Sequence, residues 1–158
     1  MGEKLLVRKI KDGTVIDHIP SGNALRVLKV LGISGEEGMR ISIVMNTDSG
    51  KLGKKDIIKI EGKELNIKEV NIIALIAPTA TINIIRNYRV VSKENVEIPD
   101  YIEDIVKCAN PNCITNRESD LKSRFETISK NPLLLKCVYC DRYTTLEDIY
   151  RQFIGEEG

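Results

Sequence analysis

The sequence predicts an α+β chain in two parts: an antiparallel sheet with helices on one face, then a small β-rich domain stapled by a metal. Three observations carry that expectation. Apolar residues repeat at strand and helix period in the order strand, helix, strand, strand, helix, strand over the first hundred residues or so. A polar stretch containing Pro99 interrupts the pattern. Beyond it lie all four cysteines, as two close pairs.

The first strand candidate is Leu5–Lys11, and Asp12-Gly13 is a hairpin signal of the type I′ kind. Thr14–Ile19 resumes in β-branched residues and Pro20 stops it. Ser21 is placed to cap a helix running to about Leu31, with Ala24, Val27, Leu28 and Leu31 on one stripe and Gly32 as the stop. Ser34–Gly38 reads as loop. Arg40–Thr47 alternates, with Ile41, Ile43 and Met45 on one face. Ser49-Gly50 opens a turn, and Asp56–Glu61 is the next strand, ended by Gly62. Asn66 and Glu69 have capping-box spacing, a side-chain cap with a carboxylate three residues on. Their helix extends to about Ala77, with Ile67, Val70, Ala74 and Ala77 on one side, and Pro78 ends it. Ala80–Arg86 is a strand, Asn87-Tyr88 a bend, and Arg89–Lys93 a short final strand. This order is the βαββαβ pattern of a ferredoxin-like fold. Many functions use that fold, so it names none.

Residues 1–98 make the first predicted domain and 99–158 the second, with Glu94–Asp100 as the polar linker. The second is too short to be held by core burial alone, and a structural metal is the expected remedy. Arg124–Ser129 and Leu133–Lys136 read as strands of a small sheet, and Thr145–Phe153 as a terminal helix. Cys108 and Cys113 are separated by four residues, Cys137 and Cys140 by two, with 23 between the pairs. Two close pairs of thiolates can meet at one tetrahedral Zn²⁺. The alternative is two disulfides in a secreted domain. The paired spacing and a start without signal-peptide organisation favour zinc. A Cys₄ set fills every coordination position, so the ion is expected to be structural and the chain not an enzyme.

Aromatics make up 4% of the chain and Trp is absent, so Ile, Val and Leu must build the core. The net charge of +1 hides an asymmetry. Residues 1–98 hold 16 Lys/Arg against 12 Asp/Glu, and residues 99–158 hold 8 against 11. The positive half suits an anion. The negative half suits a nucleic-acid backbone poorly. No segment approaches the roughly 18–20 apolar residues that span a bilayer, and a cytoplasmic location is expected.

Other candidates are weaker. His18 is the only histidine, so it cannot supply a multi-histidine metal site. A lone His at a strand end reads as structural or as a ligand contact. Gly50-Lys51-Leu52-Gly53-Lys54-Lys55 lacks the spacing of a phosphate loop and reads as a basic turn. Lys59 and Lys93 fall in or beside strands. Either they project toward a ligand on the sheet or they coat a solvated face, and pattern alone favours the second. Asn110-Pro111-Asn112 is either turn chemistry or a loop presented to a partner, and spacing leaves both open.

Longer motifs add to this. They are Gly13-Thr14-Val15-Ile16-Asp17-His18-Ile19-Pro20, Lys55-Asp56-Ile57-Ile58-Lys59-Ile60-Glu61 and Ala77-Pro78-Thr79-Ala80-Thr81-Ile82-Asn83. With Asn87-Tyr88 and the two cysteine pairs, in this order, the chain resembles the regulatory chain of aspartate carbamoyltransferase from about residue 4 to residue 150. The resemblance implies a non-catalytic subunit with a nucleotide-binding allosteric domain and a zinc domain. It implies CTP as inhibitor and ATP as activator of pyrimidine synthesis, with UTP assisting CTP in some members. It also implies a regulatory-chain homodimer, docking of the zinc domain on a catalytic chain, and a dodecamer of six catalytic and six regulatory chains. By the same resemblance Val7, Arg8, Lys9 and Ile10 line the base, largely through main-chain groups. Asp17 and Lys59 match positions near ribose and base. His18, Asn83 and Lys93 match positions toward the phosphates, and Ile85, Tyr88 and Val90 match the remaining wall. Arg8 and Lys9 make their stretch more basic than the family's usual acidic or neutral one, which bears on base preference if their side chains reach the pocket. A zinc-ribbon nucleic-acid-binding accessory protein is the alternative, opposed by the acidic second half and the few aromatics.

Overall fold

The computed structural model describes residues 9–50 and 53–155, so most of the strand candidate Leu5–Lys11 lies outside the described residues. The first part contains β1 (Gly13–Pro20), α1 (Ala24–Val30), β2 (Ile41–Ser49), β3 (Gly53–Glu61), α2 (Ile67–Ile76), β4 (Thr81–Arg86) and β5 (Arg89–Asn95). Its sheet has the order β2-β3-β1-β4-β5, antiparallel at every pairing. That is the expected βαββαβ arrangement, with β5 added beside β4 as an edge. Ile16, Ile58, Ile60 and Ile82 point from the sheet into the core beneath the helices.

Helix α1 starts differently from expectation. Its N-cap is Asn23 rather than Ser21, and Asn23 makes no side-chain cap bond. A distant carboxylate does that work. Buried Asp56 accepts from the N–H groups of Gly22 at 2.9 Å, Ala24 at 3.0 Å and Asn46 at 2.9 Å. Asn46 has a φ of 58° and sits where the β2–β3 register shifts.

Helix α2 begins with the expected capping box between Asn66 and Glu69. Its expected apolar stripe is too narrow, however. Ile67 is exposed, whereas the whole run Ile72–Ile76 is buried. Leu75 and Ile76 at its end also line a cavity together with Leu133, Leu134 and Leu146 of the second part.

Asp12-Gly13 does not form a type I′ hairpin. Asp12 lacks the left-handed backbone such a turn needs, and Gly13 starts the central strand opposite Glu61 and Ile85. Gly13 has a φ of 147°, and a Cβ there would lie 2.1 Å from the Ile60 carbonyl oxygen. The left-handed pair is instead Asn87 and Tyr88, with φ of 51° and 65°, joining β4 to β5. Asp12 fastens that turn: its Oδ1 accepts from Asn87 N–H at 3.1 Å.

The second part contains β6 (Tyr101–Glu103), α3 (Ile114–Arg117), β7 (Arg124–Lys130), β8 (Leu133–Cys137), β9 (Tyr143–Thr145) and α4 (Leu146–Phe153). Its four strands run β6-β7-β8-β9. Both strands expected from the pattern are present, and a Thr145–Asp148 capping box starts α4. The stretch expected as a polar linker is more structured than that. Glu94 and Asn95 finish β5, and Val96 and Ile98 are buried in the apolar cluster. That cluster runs through both parts, reaching Phe125 and Ile149. No helix among the described residues is long and apolar enough to cross a membrane.

Candidate metal centre and ligand face

Cys108 follows β6, Cys113 precedes α3, Cys137 ends β8, and Cys140 lies in the turn before β9. The four Sγ atoms all lie within 4.8 Å of one another. Cys108 and Cys140 approach to 3.5 Å, Cys113 and Cys137 to 3.7 Å. A disulfide needs about 2.05 Å, and all four cysteines are free. A tetrahedral centre with metal–sulfur bonds of about 2.3 Å has sulfur–sulfur edges near ~3.8 Å, so the donors fit one metal ion with four thiolates.

The backbone is arranged for charge on sulfur. Asn110 N–H is directed at Cys108, Tyr139 and Cys140 N–H groups at Cys137, and Arg142 N–H at Cys140. These are the knuckle bonds that the spacing suggests. Burial pushes the Cys108 and Cys137 thiols up, outweighing those N–H groups. At Cys140 burial acts the same way, but the Arg142 N–H and neighbouring side chains win and bring the thiol down to about 7. Asn110 accepts from Asn112 N–H through Oδ1 at 3.0 Å and from Cys113 N–H through its carbonyl at 3.0 Å. Sequence reasoning passed over Thr115, whose hydroxyl lies 3.2 Å from Cys113 Sγ.

The second candidate is a face. Directly opposed residues in an antiparallel sheet share a face. Lys59 opposes Val15, Val15 opposes Asn83, and Asn83 opposes Lys93. These four therefore form one row across four strands, on the side away from the helices. Neither lysine has a carboxylate partner among the described residues. Asn83 Nδ2 donates to the Val15 carbonyl at 3.4 Å.

Asp17 and His18 stand beside this row, where β1 breaks register with β3. His18 has a φ of 56°, and its Nδ1 lies 3.2 Å from Thr81 Oγ1. Asp17 Oδ1 accepts from His18 N–H and lies 2.9 Å from Lys55 Nζ. Burial tends to raise the Asp17 carboxyl, but Lys55 and His18 together hold it below the usual carboxylate range. Lys55, Thr81 and Asn95, which accepts from Thr81 at 3.1 Å, were not singled out from sequence. The signal for Thr81 was its place two residues before Asn83 on the same strand face.

Ile85 opposes Gly13 and Val90 near one end of the face. Ile10 and Ile85 are buried yet stand outside the main apolar cluster. Tyr88 and Val90 are exposed, and Tyr88 N–H donates to the Lys11 carbonyl at 2.9 Å. Lys9 is exposed, and Val7 and Arg8 lie outside the described residues.

Two family models match in series. Residues 5–97 match the aspartate carbamoyltransferase regulatory chain, allosteric domain, and residues 100–150 match its metal binding domain. The chain belongs to the aspartate carbamoyltransferase regulatory chain family. It is 57% identical over 158 residues to the regulatory chain of Hyperthermus butylicus, covering 99% of this chain and 98% of that one. It is 55% identical over 152 residues to the regulatory chain of Saccharolobus islandicus strain L.S.2.15, covering 96% of each. The Saccharolobus solfataricus regulatory chain is 54% identical over the same length. As a member of a family of regulatory chains, the chain is a non-catalytic subunit, and the four-cysteine cluster lies within the metal-binding match.

Proposed function

We propose that this chain binds CTP as inhibitor and ATP as activator on the open face of the first sheet, and passes the signal to catalytic chains of aspartate carbamoyltransferase. The observation that carries this reading is the row Lys59–Val15–Asn83–Lys93. It places two lysines, neither with a carboxylate partner among the described residues, on one face, separated by an amide. A nucleoside triphosphate brings about four negative charges, and lysines act as point-charge partners for it. His18 and Asp17, beside the row, suit phosphate and ribose. Tyr88 and Val90, both exposed, supply apolar surface for a base, beside buried Ile10 and Ile85.

The two nucleotides share this one face and act by differential affinity for two quaternary states. UTP is expected to assist CTP there. The sensor is residues 1–98 and the docking piece residues 99–158. The docking piece holds one structural Zn²⁺, because four thiolates with closed geometry are the usual zinc set. It presents Asn110 and Asn112 to the catalytic chain. The assembly is a regulatory homodimer within a dodecamer of six catalytic and six regulatory chains, in the cytoplasm, at the first committed step of pyrimidine synthesis.

Calorimetric titration of the purified chain tests the face. CTP and ATP are expected to compete, and Lys59→Ala or Lys93→Ala to weaken both about tenfold, as a lost charge-assisted contact does. Absence of competition, or full affinity in both variants, would sink the reading.

A further inference from the structure

Asn116 lies in the short turn of helix just after Cys113, and its surroundings are unusual for a polar surface residue. Its side-chain amide donates twice, to the carbonyl of Cys108 at 3.0 Å and to the carbonyl of Asn110 at 2.7 Å. The Asn110 carbonyl also accepts from Cys113 N–H at 3.0 Å. The segment from Cys108 to Cys113 is thus tied on itself, and Asn116 reaches back across it. A carboxamide has two N–H bonds in one fixed plane. Using both on two carbonyls of one loop fixes how those peptide planes lie. One of those carbonyls belongs to a metal-ligating cysteine. The other belongs to the residue that opens the loop Asn110-Pro111-Asn112.

We propose that Asn116 is a positioning residue of the metal centre: its amide sets the direction from which Cys108 meets the ion and, with the same two bonds, the shape of the Asn110–Asn112 loop. The proposal rests on the reading of the four cysteines as one metal site. It adds that the ligand and the exposed loop are held by a single side chain, so metal retention and loop shape change together. Thr115 does not do this, because among the described residues its hydroxyl contacts only Cys113. An aspartate at 116 has the same shape as asparagine but no N–H, and it turns two attractive contacts into oxygen–oxygen repulsion.

The test uses the full chain loaded with Co²⁺ or Zn²⁺, comparing Asn116→Asp and Asn116→Ala with wild type and with Arg117→Ala as a neighbouring control. Three quantities are read: the visible d–d bands of the Co²⁺ form, the rate of Zn²⁺ release to a competing chelator, and the amide NMR shifts of Asn110 and Asn112. Both Asn116 variants are expected to release metal at least about tenfold faster, the usual size of an outer-shell loss, with displaced d–d bands and moved loop shifts. Arg117→Ala is expected to match wild type in all three. If the loaded variants keep wild-type bands and release rate and differ only in melting temperature, the amide serves folding alone and the proposal is overturned. Should Asn116→Asp not fold, Asn116→Ala gives the same comparison. A wild-type chain without thiolate–cobalt charge-transfer bands overturns the metal reading itself, whatever the variants do.

Discussion

Lys68 Nζ lies 2.7 Å from Asp104 Oδ2, joining the start of α2 in the first part to the turn after β6 in the second. The pair lowers the Asp104 carboxyl below its ordinary range, chiefly through the hydrogen bond from Lys68. Asp104 holds this position with a φ of 57°. A second contact spans the same boundary, with the Arg26 guanidinium 4.9 Å from the centre of the Tyr150 ring. Both contacts are polar and involve exposed or half-buried side chains, whereas the apolar cluster shared by the two parts is buried, so they orient the two parts more than they hold them together.

That distinction gives a prediction. An exposed ion pair adds little stability and is screened by salt. Lys68→Gln and Asp104→Asn are expected to leave the melting temperature within a few degrees of wild type. They are expected to leave nucleotide affinity of the isolated chain unchanged, and to reduce the effector response of the assembled enzyme. Steady-state rates of the reassembled complex with and without CTP check this. An unaltered response in both variants means that the pair carries no signal.

Metal removal should separate the two parts thermodynamically. The second part has few large fully buried groups of its own, chiefly Ile102, Val106, Phe125, Leu135 and Ile149. Four buried or half-buried sulfurs brought together without metal bring mutual repulsion as they ionise. Cys113→Ser or exhaustive chelation is expected to unfold residues 99–158 while the first sheet persists. Hydrogen exchange reads this directly: protection is expected to fall in β7 and β8 and to survive in β1 and β3. Metal uptake by the reduced chain should release protons, since the ligands bind as thiolates. Retained protection of β7 in the metal-free chain would contradict the structural role.

Much of this was legible in sequence because it is written locally. The Asn66–Glu69 box, the β7 and β8 strands and the four cysteines are short-range patterns with one physical meaning each. What was missed is long-range. Ser21 looked like a helix cap because nothing nearby shows that Asp56, more than thirty positions on, takes the N–H groups. Asp12-Gly13 looked like a hairpin because its residue types suit one, yet Gly13 is needed for the close approach of the Ile60 carbonyl. Val96 and Ile98 looked like linker because their neighbours are polar. The lysine row was ambiguous for a related reason. Lys59 and Lys93 are 34 positions apart, and only the register of three strand pairings puts them on one line.

The Asp17 carboxyl yields a pH prediction. Its folded pKa is lowered, because Lys55 and His18 outweigh burial. A depressed carboxyl stabilises the fold above its unfolded pKa, and that contribution is lost as pH falls through the folded value. Asp17→Asn should therefore melt below wild type at neutral pH, by about 1 kcal/mol or less because solvent screens the group. The gap should close as pH drops into and below the carboxylate range. Thermal melts of both proteins from neutral to acid pH check the sign. A gap that widens in acid would mean the Asp17–Lys55 contact does not favour the charged carboxylate.

The last prediction concerns Asp56, whose side chain is fully buried and whose two oxygens serve three backbone donors. One oxygen takes Gly22 and Ala24 at the start of α1, and the other takes Asn46 in β2. An alanine leaves all three donors without a partner in a closed space. Each buried orphan costs about 1–3 kcal/mol, partly relieved by water, so Asp56→Ala is expected to lose about 3 kcal/mol or more. Asp56→Asn keeps one acceptor oxygen but aims an NH₂ at an N–H, and should fall between alanine and wild type. Ser21 provides the contrast. Its hydroxyl donates to Asn46 Oδ1 at the surface and caps no helix N–H among the described contacts. If Ser21 were the cap, its loss would cost about 1 kcal/mol. Because Asp56 fills that place, Ser21→Ala is expected to cost less than about half of that. Urea unfolding of the three variants beside wild type gives the order directly. A Ser21→Ala loss as large as that of Asp56→Asn would return the capping role to the local residue.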